Sequence, residues 1–504
     1  MGEVSVRGRW NGRRDAIALW LLLGILALAA VVRVWGIGAE SVWLDEATSV
    51  VVADNPPAQI VALTAEDIHP PLYYLLLRGW LVFGRGEAAI RSLSAAAGVL
   101  TVAALYALGR RLAGHGAGLL AALLLAVSPL HVFYSQEARM YAWVTLWAVL
   151  SSLLMLRALE RGGAGAWAGY VLATSLGMYT HYYMGFVVLG QNLFVAWLLA
   201  RRRLRPAALR GWMIAQVAWL LLFAPWLPIV VRQIQAGGGN WVAQAGGRPG
   251  LRMLADTFIA FSIGPTRELF PVWLRRGAYA IYGLGVLAAL WAGLRPAGRP
   301  ARRWSALDQA AFCVLAGGAP LALAWLASQL KPLYALRYLL PLLPAFCLLL
   351  ALGARGLGRR WAPAGAALTA AMLALSLFGL WNMALTPQKP DWRSATAYLL
   401  SQSAPGDVVM PEPYWNAKPL RYYAGDKLNI DDRAPLPATP AGVAQAADAA
   451  LAGHARLWLV ETVGHYGDPG RLLAGYLDTR CAQVQTIAFP GVGRIALYRA
   501  TSTP

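Results

Sequence analysis

Three polar stretches carry residues that can do chemistry: VWLDEATSV at 42–50, YSQEARMY at 134–141 and KPLYALRY at 331–338. In the first, Asp45 and Glu46 are adjacent, flanked by Trp43 and Leu44. A carboxylate there can act as general base on an acceptor hydroxyl. The pair can equally cap a following helix, because negative charge favours helix N-termini. In the second, Glu137 and Arg139 lie between Tyr134 and Tyr141. Either Arg139 meets a phosphate while Glu137 positions an acceptor or a base, or the stretch starts a helix with Ser135 as N-cap. In the third, Arg337 can bind a lipid-linked phosphate or snorkel to a membrane interface. His69 and His181, with an acidic partner, have the side chains to bind a divalent metal. No HExxH or paired-histidine spacing supports that, so no metal or other cofactor is expected.

These stretches sit between apolar runs. The chain has 504 residues, 58% hydrophobic and 13% charged, and runs of about 20 apolar residues recur along it, the pattern of a polytopic helical membrane protein. A formal charge of +20 would suggest nucleic acid in a soluble protein. Here the arginines cluster in short loops, so the charge reads as a topology signal and no nucleic-acid partner is expected. Cys313 and Cys347 lie in apolar runs and Cys481 far from both, which argues against a disulfide framework or a thiolate metal site. The first apolar run ends in VVRVWG without a small-residue cleavage site and reads as a retained span.

The apolar runs predict helices near 16–35, 91–109, 117–133, 138–156, 166–180, 183–200, 211–231, 273–294, 309–329, 333–352 and 362–384, about eleven spans. The segment HPPLYYLLLRGWLVFG at 69–84 has Arg78 at its middle and is short for a hydrocarbon core of about 30 Å. It reads as an interfacial helix starting at Pro70 and Pro71. With the N-terminus cytoplasmic and 69–84 not crossing, the cytoplasmic loops collect Arg7, Arg9, Arg13 and Arg14, Arg110 and Arg111, Arg157 and Arg161, Arg201 to Arg203 with Arg205 and Arg210, Arg295, Arg299, Arg302 and Arg303, and Arg355, Arg359 and Arg360. Against them stand only Glu3, Asp15, Glu160 and Asp308, as the positive-inside rule requires. The three polar stretches, IHPPLYY and THYYMG then share the extracytoplasmic face. Ionisable residues gathered at one membrane boundary point to a functional site. AGGGN at 236–240 lacks the lysine and serine of a nucleotide loop, so a donor for group transfer must be membrane-borne.

Beyond about residue 386 the character changes. KPDWRSATAYLLSQSAPGDVVM reads as a helix and a strand, RLWLVETVG as a strand, and QTIAFPGVGRIALYRA as a terminal hairpin-like pair, with DDRAPLPATPAGVAQAADAA a loop running into a helix. The expected architecture is an all-α membrane domain at 1–386 followed by a small extracytoplasmic α/β domain at 387–504.

The ordered set WLDE, HPPLYYLLL, YSQEARMYAW, THYYMGF, LRYLLPLLPAF and KPDWR resembles the bacterial membrane glycosyltransferases related to protein O-mannosyltransferases and the lipid A aminoarabinose transferases, the C-type glycosyltransferase superfold. The resemblance spans about residues 15–395. It implies inverting transfer of a sugar from a polyprenyl-phosphate donor to an acceptor lipid, glycan or protein, in a bacterial inner membrane. It also implies Asp45 as general base with Glu46 completing the acidic pair, juxtamembrane helices in the first external loop, His69 near the donor, Glu137 and Arg139 in a second catalytic loop, and Arg337 on the lipid phosphate. Tyr134, His181, Tyr182 and Tyr338, in the same loops, are the remaining candidate substrate contacts. The aminoarabinose transferases carry a charged pair before their double proline, where this chain has Ile68 and His69. The chain also lacks the large lumenal insertion of a eukaryotic protein mannosyltransferase. Three rival readings remain. A secondary transporter would place ionisable groups near the midplane and often show an internal repeat. A non-catalytic assembly protein would dispense with the loop carboxylates. A polysaccharide polymerase or ligase would need a pyrophosphate-linked donor.

Overall fold

The computed structural model describes residues 3–237, 248–295, 304–432, 439–462 and 471–500. Most of AGGGN, the loop start at 433–438, the end of RLWLVETVG and Arg299, Arg302 and Arg303 lie outside the described residues. The chain divides into two compact units, Met1–Ile37, Pro56–Gly84 and Ala89–Thr386 in one, and Gly38–Asn55, Arg85–Ala88 and Pro387–Pro504 in the other. The second unit therefore takes in two pieces of the first loop as well as the C-terminal segment.

In the first unit a helix occupies each of the eleven expected positions. Eight are long and apolar enough to cross a membrane, or nine if the bent pair His115–Ala126 and Pro129–Ser135 is one span. The other two, Ala164–Thr180 and Met184–Ala200, have 17 residues each, about 25 Å at the rise of an α-helix. This is a multi-pass membrane fold in which, among the described residues, eight or nine of the eleven apolar runs form helices of full crossing length. The run at 117–133 does not continue straight, because Pro129 cannot donate to the carbonyl four residues back. The chain bends there by 63°. Segment 69–84 forms a nine-residue helix, Leu72–Trp80, and a short 3₁₀ turn, too short to cross.

The helices approach closely at small residues, as membrane helices do where van der Waals packing is the main attraction. A Cβ on Gly353 would stand 1.9 Å from the carbonyl oxygen of Gly285 on the facing helix, and one on Gly109 would stand 2.8 Å from the Cα of Gly118. Two acids of the arginine-rich loops, Glu160 and Asp308, are paired. Glu160 meets Arg111 and accepts from the Trp304 indole at 2.6 Å, and fully buried Asp308 meets Arg203.

The second unit holds a four-stranded sheet among the described residues: β1 Val408–Glu412, β2 Arg456–Thr462, β3 Cys481–Phe489 and β4 Gly493–Ala500, in the order β1-β2-β4-β3. The β1–β2 pair is parallel and the other two pairs are antiparallel. Alternation along the strands feeds two cores. Val409, Trp458, Val460, Ile495 and Leu497 pack with Trp392, Ala395 and Leu399 of helix Trp392–Gln402. Val408, Met410, Leu457, Leu459 and Tyr498 pack with helices Pro440–Leu451 and Leu472–Arg480 on the other face. The helix-then-strand, strand and terminal hairpin expected beyond 386 are all present.

Gly353→Ala should cost about 1–3 kcal/mol through overpacking and lower the thermal midpoint in detergent. Gly24→Ala, where nothing lies within 4 Å of the new Cβ, should leave it unchanged.

Candidate functional site

In the first unit the loop after the bend is built on Arg33. This fully buried side chain on the first span donates to the carbonyls of Ala126 at 3.0 Å and Leu125 at 3.2 Å, the last ones before the break, and to His131 Nδ1 at 2.8 Å. Since a guanidinium only donates, His131 Nδ1 accepts. Gln136 then donates to Trp35 O at 2.8 Å and Arg33 O at 3.2 Å, closing the end of the first helix. Ser135 belongs to helix Pro129–Ser135 and bonds His131 O at 2.6 Å, while the next helix starts at Tyr141. The helix-start reading of YSQEARMY with Ser135 as N-cap is therefore not what forms. Residues 136–140 are a connecting turn that presents Glu137 and Arg139, both buried, with Arg139 O held by Ser94 Oγ at 3.0 Å.

Around this turn gather side chains from four loops. The His181 and Tyr338 rings lie 4.7 Å apart, His69 and His181 5.6 Å, Tyr141 and His181 6.1 Å, Tyr141 and Tyr338 6.2 Å, and Tyr134 and Tyr141 5.2 Å. The Arg337 guanidinium lies 5.7 Å from the Tyr338 ring centre, and the charges of Arg139 and Arg337 act on both histidines. His69, Tyr134, Arg139, His181, Arg337 and Tyr338 are thus brought together, and Glu137 is buried in the same turn as Arg139. Tyr182 has a different setting. Its hydroxyl donates to Gln233 at 2.6 Å and accepts from Trp226 at 2.9 Å, and Gln233 in turn bonds Thr64 O at 2.9 Å. Its neighbour Tyr183 supplies the ring beside the site, 5.5 Å from His181 and 5.0 Å from Tyr338. Sequence reasoning missed it because two adjacent tyrosines before a helix look alike until the helix phase is known.

Asp67 was missed as well. Its carboxylate lies 3.6 Å from His69 Nδ1. Burial works to raise the Asp67 pKa, but contact with His69, the Ile68 N–H and the charge of Arg139 outweigh it and hold it at about 2. His69 is lowered, by burial first and by the two arginines, with Asp67 pulling the other way. Burial, then His69, Arg139 and Arg337, drive His181 well below the usual histidine range. The Tyr183 N–H donates to His181 Nδ1 at 3.2 Å, so the neutral ring carries its proton on Nε2. Two guanidinium groups beside neutral imidazoles and tyrosine faces can bind an anion and a sugar together. Among the described residues no three His, Cys, Asp or Glu side chains gather in a metal-holding arrangement.

In the second unit, Asp45 and Glu46 occupy the first turn of helix Leu44–Ala53, where the helix dipole favours them. Asp45 is half-buried. Glu46 has no exposure and is paired with Lys389, itself only 5% exposed, at 3.1 Å. Trp43 packs on the core that contains Trp392 and Trp458.

Because His181 is held neutral when folded, the unfolded chain binds more protons than the folded one below about pH 6.5, so folding stability is full above that pH and falls below it. Thermal midpoints in detergent should drop between pH 7 and 5. His181→Gln should flatten that slope, by up to about 1.4 kcal/mol per pH unit.

Residues 68–229 match the family model described as dolichyl-phosphate-mannose-protein mannosyltransferase. No curated protein matches the chain. Among solved structures, ArnT from Cupriavidus metallidurans bound to undecaprenyl phosphate is similar at TM-score 0.60 and 16% identity, over 96% of this chain and 99% of that one. The apo oligosaccharyltransferase of Archaeoglobus fulgidus is similar at TM-score 0.57 and 11% identity, over 88% and 69%. The archaeal oligosaccharyltransferase AglB from the same organism, in complex with an inhibitory peptide and a dolichol-phosphate, is similar at TM-score 0.53 and 12% identity, over 89% and 70%. The chain is therefore similar in fold to these ArnT and oligosaccharyltransferase structures.

Proposed function

We propose that the protein transfers a sugar from a polyprenyl-phosphate donor to an acceptor on the extracytoplasmic face, inverting the anomeric carbon. The observation that carries this reading is the gathering of Arg139 and Arg337 with the rings of His69, His181, Tyr141 and Tyr338 at loop ends of a glycosyltransferase fold. Phosphate recognition needs the first kind of group and sugar faces suit the second. The similar ArnT and AglB structures hold undecaprenyl phosphate and a dolichol-phosphate, which supports a lipid-phosphate carrier.

The reaction balances simply. The acceptor hydroxyl oxygen bonds to the anomeric carbon, the bond from that carbon to the phosphate oxygen breaks, and the polyprenyl phosphate leaves with the electron pair. Asp45 takes the hydroxyl proton. The guanidinium groups of Arg337 and Arg139 meet the charge growing on the leaving phosphate, so the reading calls on no metal. The distribution of loop arginines supports a cytoplasmic N-terminus, eleven spans and an extracytoplasmic α/β domain in a bacterial inner membrane. The acceptor, whether lipid, glycan or protein, is met on that outer face.

The test is transfer or hydrolysis of labelled polyprenyl-phosphate sugars by the protein in lipid, with a pyrophosphate-linked oligosaccharide in the panel. Asp45→Asn should lower turnover by about 10²–10⁴-fold while donor still binds, and near-normal turnover would sink its role. Arg337→Ala should weaken donor binding by about 10–100-fold, the worth of a charge-assisted phosphate contact. Consumption of the pyrophosphate donor alone would replace this reading with a ligase.

A further inference from the structure

The motif KPDWR has no part in the reaction above, yet in the second unit it grips the segment that carries Asp45. Lys389 Nζ reaches Glu46 Oε1 at 3.1 Å with both side chains buried. The Gln388 N–H donates to the Glu40 carboxylate. Asp391 accepts from Ser41 Oγ at 3.0 Å while capping helix Trp392–Gln402 through the Ser394 N–H at 3.1 Å. Arg393 donates to the carbonyls of Gly38 at 3.1 Å and Ala39 at 3.3 Å and to Glu87 at 2.7 Å. Tyr423, further along, accepts from the Val42 N–H at 2.6 Å and donates to Glu87 at 2.9 Å.

These contacts fall on residues 38, 39, 40, 41, 42 and 46, on main chain as well as side chains, so they fix the path of the strand of chain entering helix Leu44–Ala53 and the rotation of its first turn. Burying a lysine and a glutamate together is costly unless their geometry is well determined. Two apolar residues would hold the same helix to the same core. What the ion pair adds is direction, because one charged atom must meet another at a single place, and Glu46 is the residue next to Asp45.

We propose that Lys389 and Glu46 are positioning residues, and that the KPDWR turn is a clamp that sets the orientation of Asp45 for proton removal. This rests on Asp45 being the base. The clamp makes the C-terminal domain a working part of the reaction, where a separate acceptor-holding module would leave turnover indifferent to residue 389.

The experiment uses the full chain in nanodiscs and measures turnover, acceptor KM, donor affinity and hydrogen exchange for Lys389→Met, Lys389→Arg, Glu46→Gln and the double variant Glu46→Gln/Lys389→Met. The double variant keeps the volume and removes both charges, so it stays interpretable if a lone buried charge prevents folding. Lys389→Met should lower kcat by about 10–100-fold, the range of a coupled pair, with donor affinity unchanged. Exchange should rise in 38–55 while strands β2 and β4 stay protected, Lys389→Arg should recover turnover in part, and the double variant should fall short of the summed single losses. Wild-type kcat in Lys389→Met or in the double variant overturns the clamp. So does a loss of kcat with protection lost throughout 387–500 and no recovery by Lys389→Arg. No transfer by the wild type from any donor defeats the proposed function instead, and in that case unchanged exchange of 38–55 in the double variant defeats the clamp as well.

Discussion

A proline inside an apolar segment leaves main-chain carbonyls short of donors, and in hydrocarbon no water can take the donors' place. Pro129 creates that problem and Arg33 answers it, from another helix, with bonds to Leu125 and Ala126. The bend it stabilises lets the chain stop being a helix before Tyr141 and turn through 136–140. The same guanidinium fixes His131, and Gln136 ties the turn back to the end of the first span. A buried cation that would be a liability alone is here the group on which the presentation of Glu137 and Arg139 depends.

That turn is the centre of a candidate site that sets two arginines beside two carboxylates. Two arginines, two imidazoles kept neutral by burial and a set of tyrosine rings share a small volume in the first unit. Among the described residues Asp67 and, in the same turn as Arg139, Glu137 bring carboxylates to this site, and Asp67 is held ionised by His69 and Arg139. Neutral imidazoles beside guanidiniums avoid adding further like charge, so the positive potential is supplied by groups that cannot lose it.

The second unit solves a different problem, that of holding a ten-residue helix that begins with two acids. Its dipole welcomes them, but nothing in the helix itself fixes how far it is rotated. The C-terminal segment supplies that, through the Lys389–Glu46 pair, Arg393 on the carbonyls before the helix, and Trp43 against the Trp392–Trp458 core. The sheet is thus tied to the first loop by polar contacts of defined direction. Its own stability comes from the two apolar faces that period-two alternation writes into β2 and β4.

Periodicity and composition are local, so they were legible. Eleven apolar runs, the short segment at 69–84, and the helix, strands and hairpin beyond 386 all follow from residue patterns a few turns long. The candidate residues His69, Tyr134, Glu137, Arg139, His181, Arg337 and Tyr338 could be named, because ionisable and aromatic residues at the ends of apolar runs need a reason to be there. What the pattern left open was relation. It could not tell Tyr182 from Tyr183, since that choice depends on the phase of a helix packed by others. Nor could it show that Asp67 meets His69, that Ser135 ends a helix and does not start one, or that Lys389 lies on Glu46 across 343 positions of chain. By itself the sequence determined which segments are apolar helices and which side chains stand at their ends. Only the tertiary structure decided which of those side chains meet, because ring contacts and ion pairs act over a few ångströms between residues that the chain separates by hundreds.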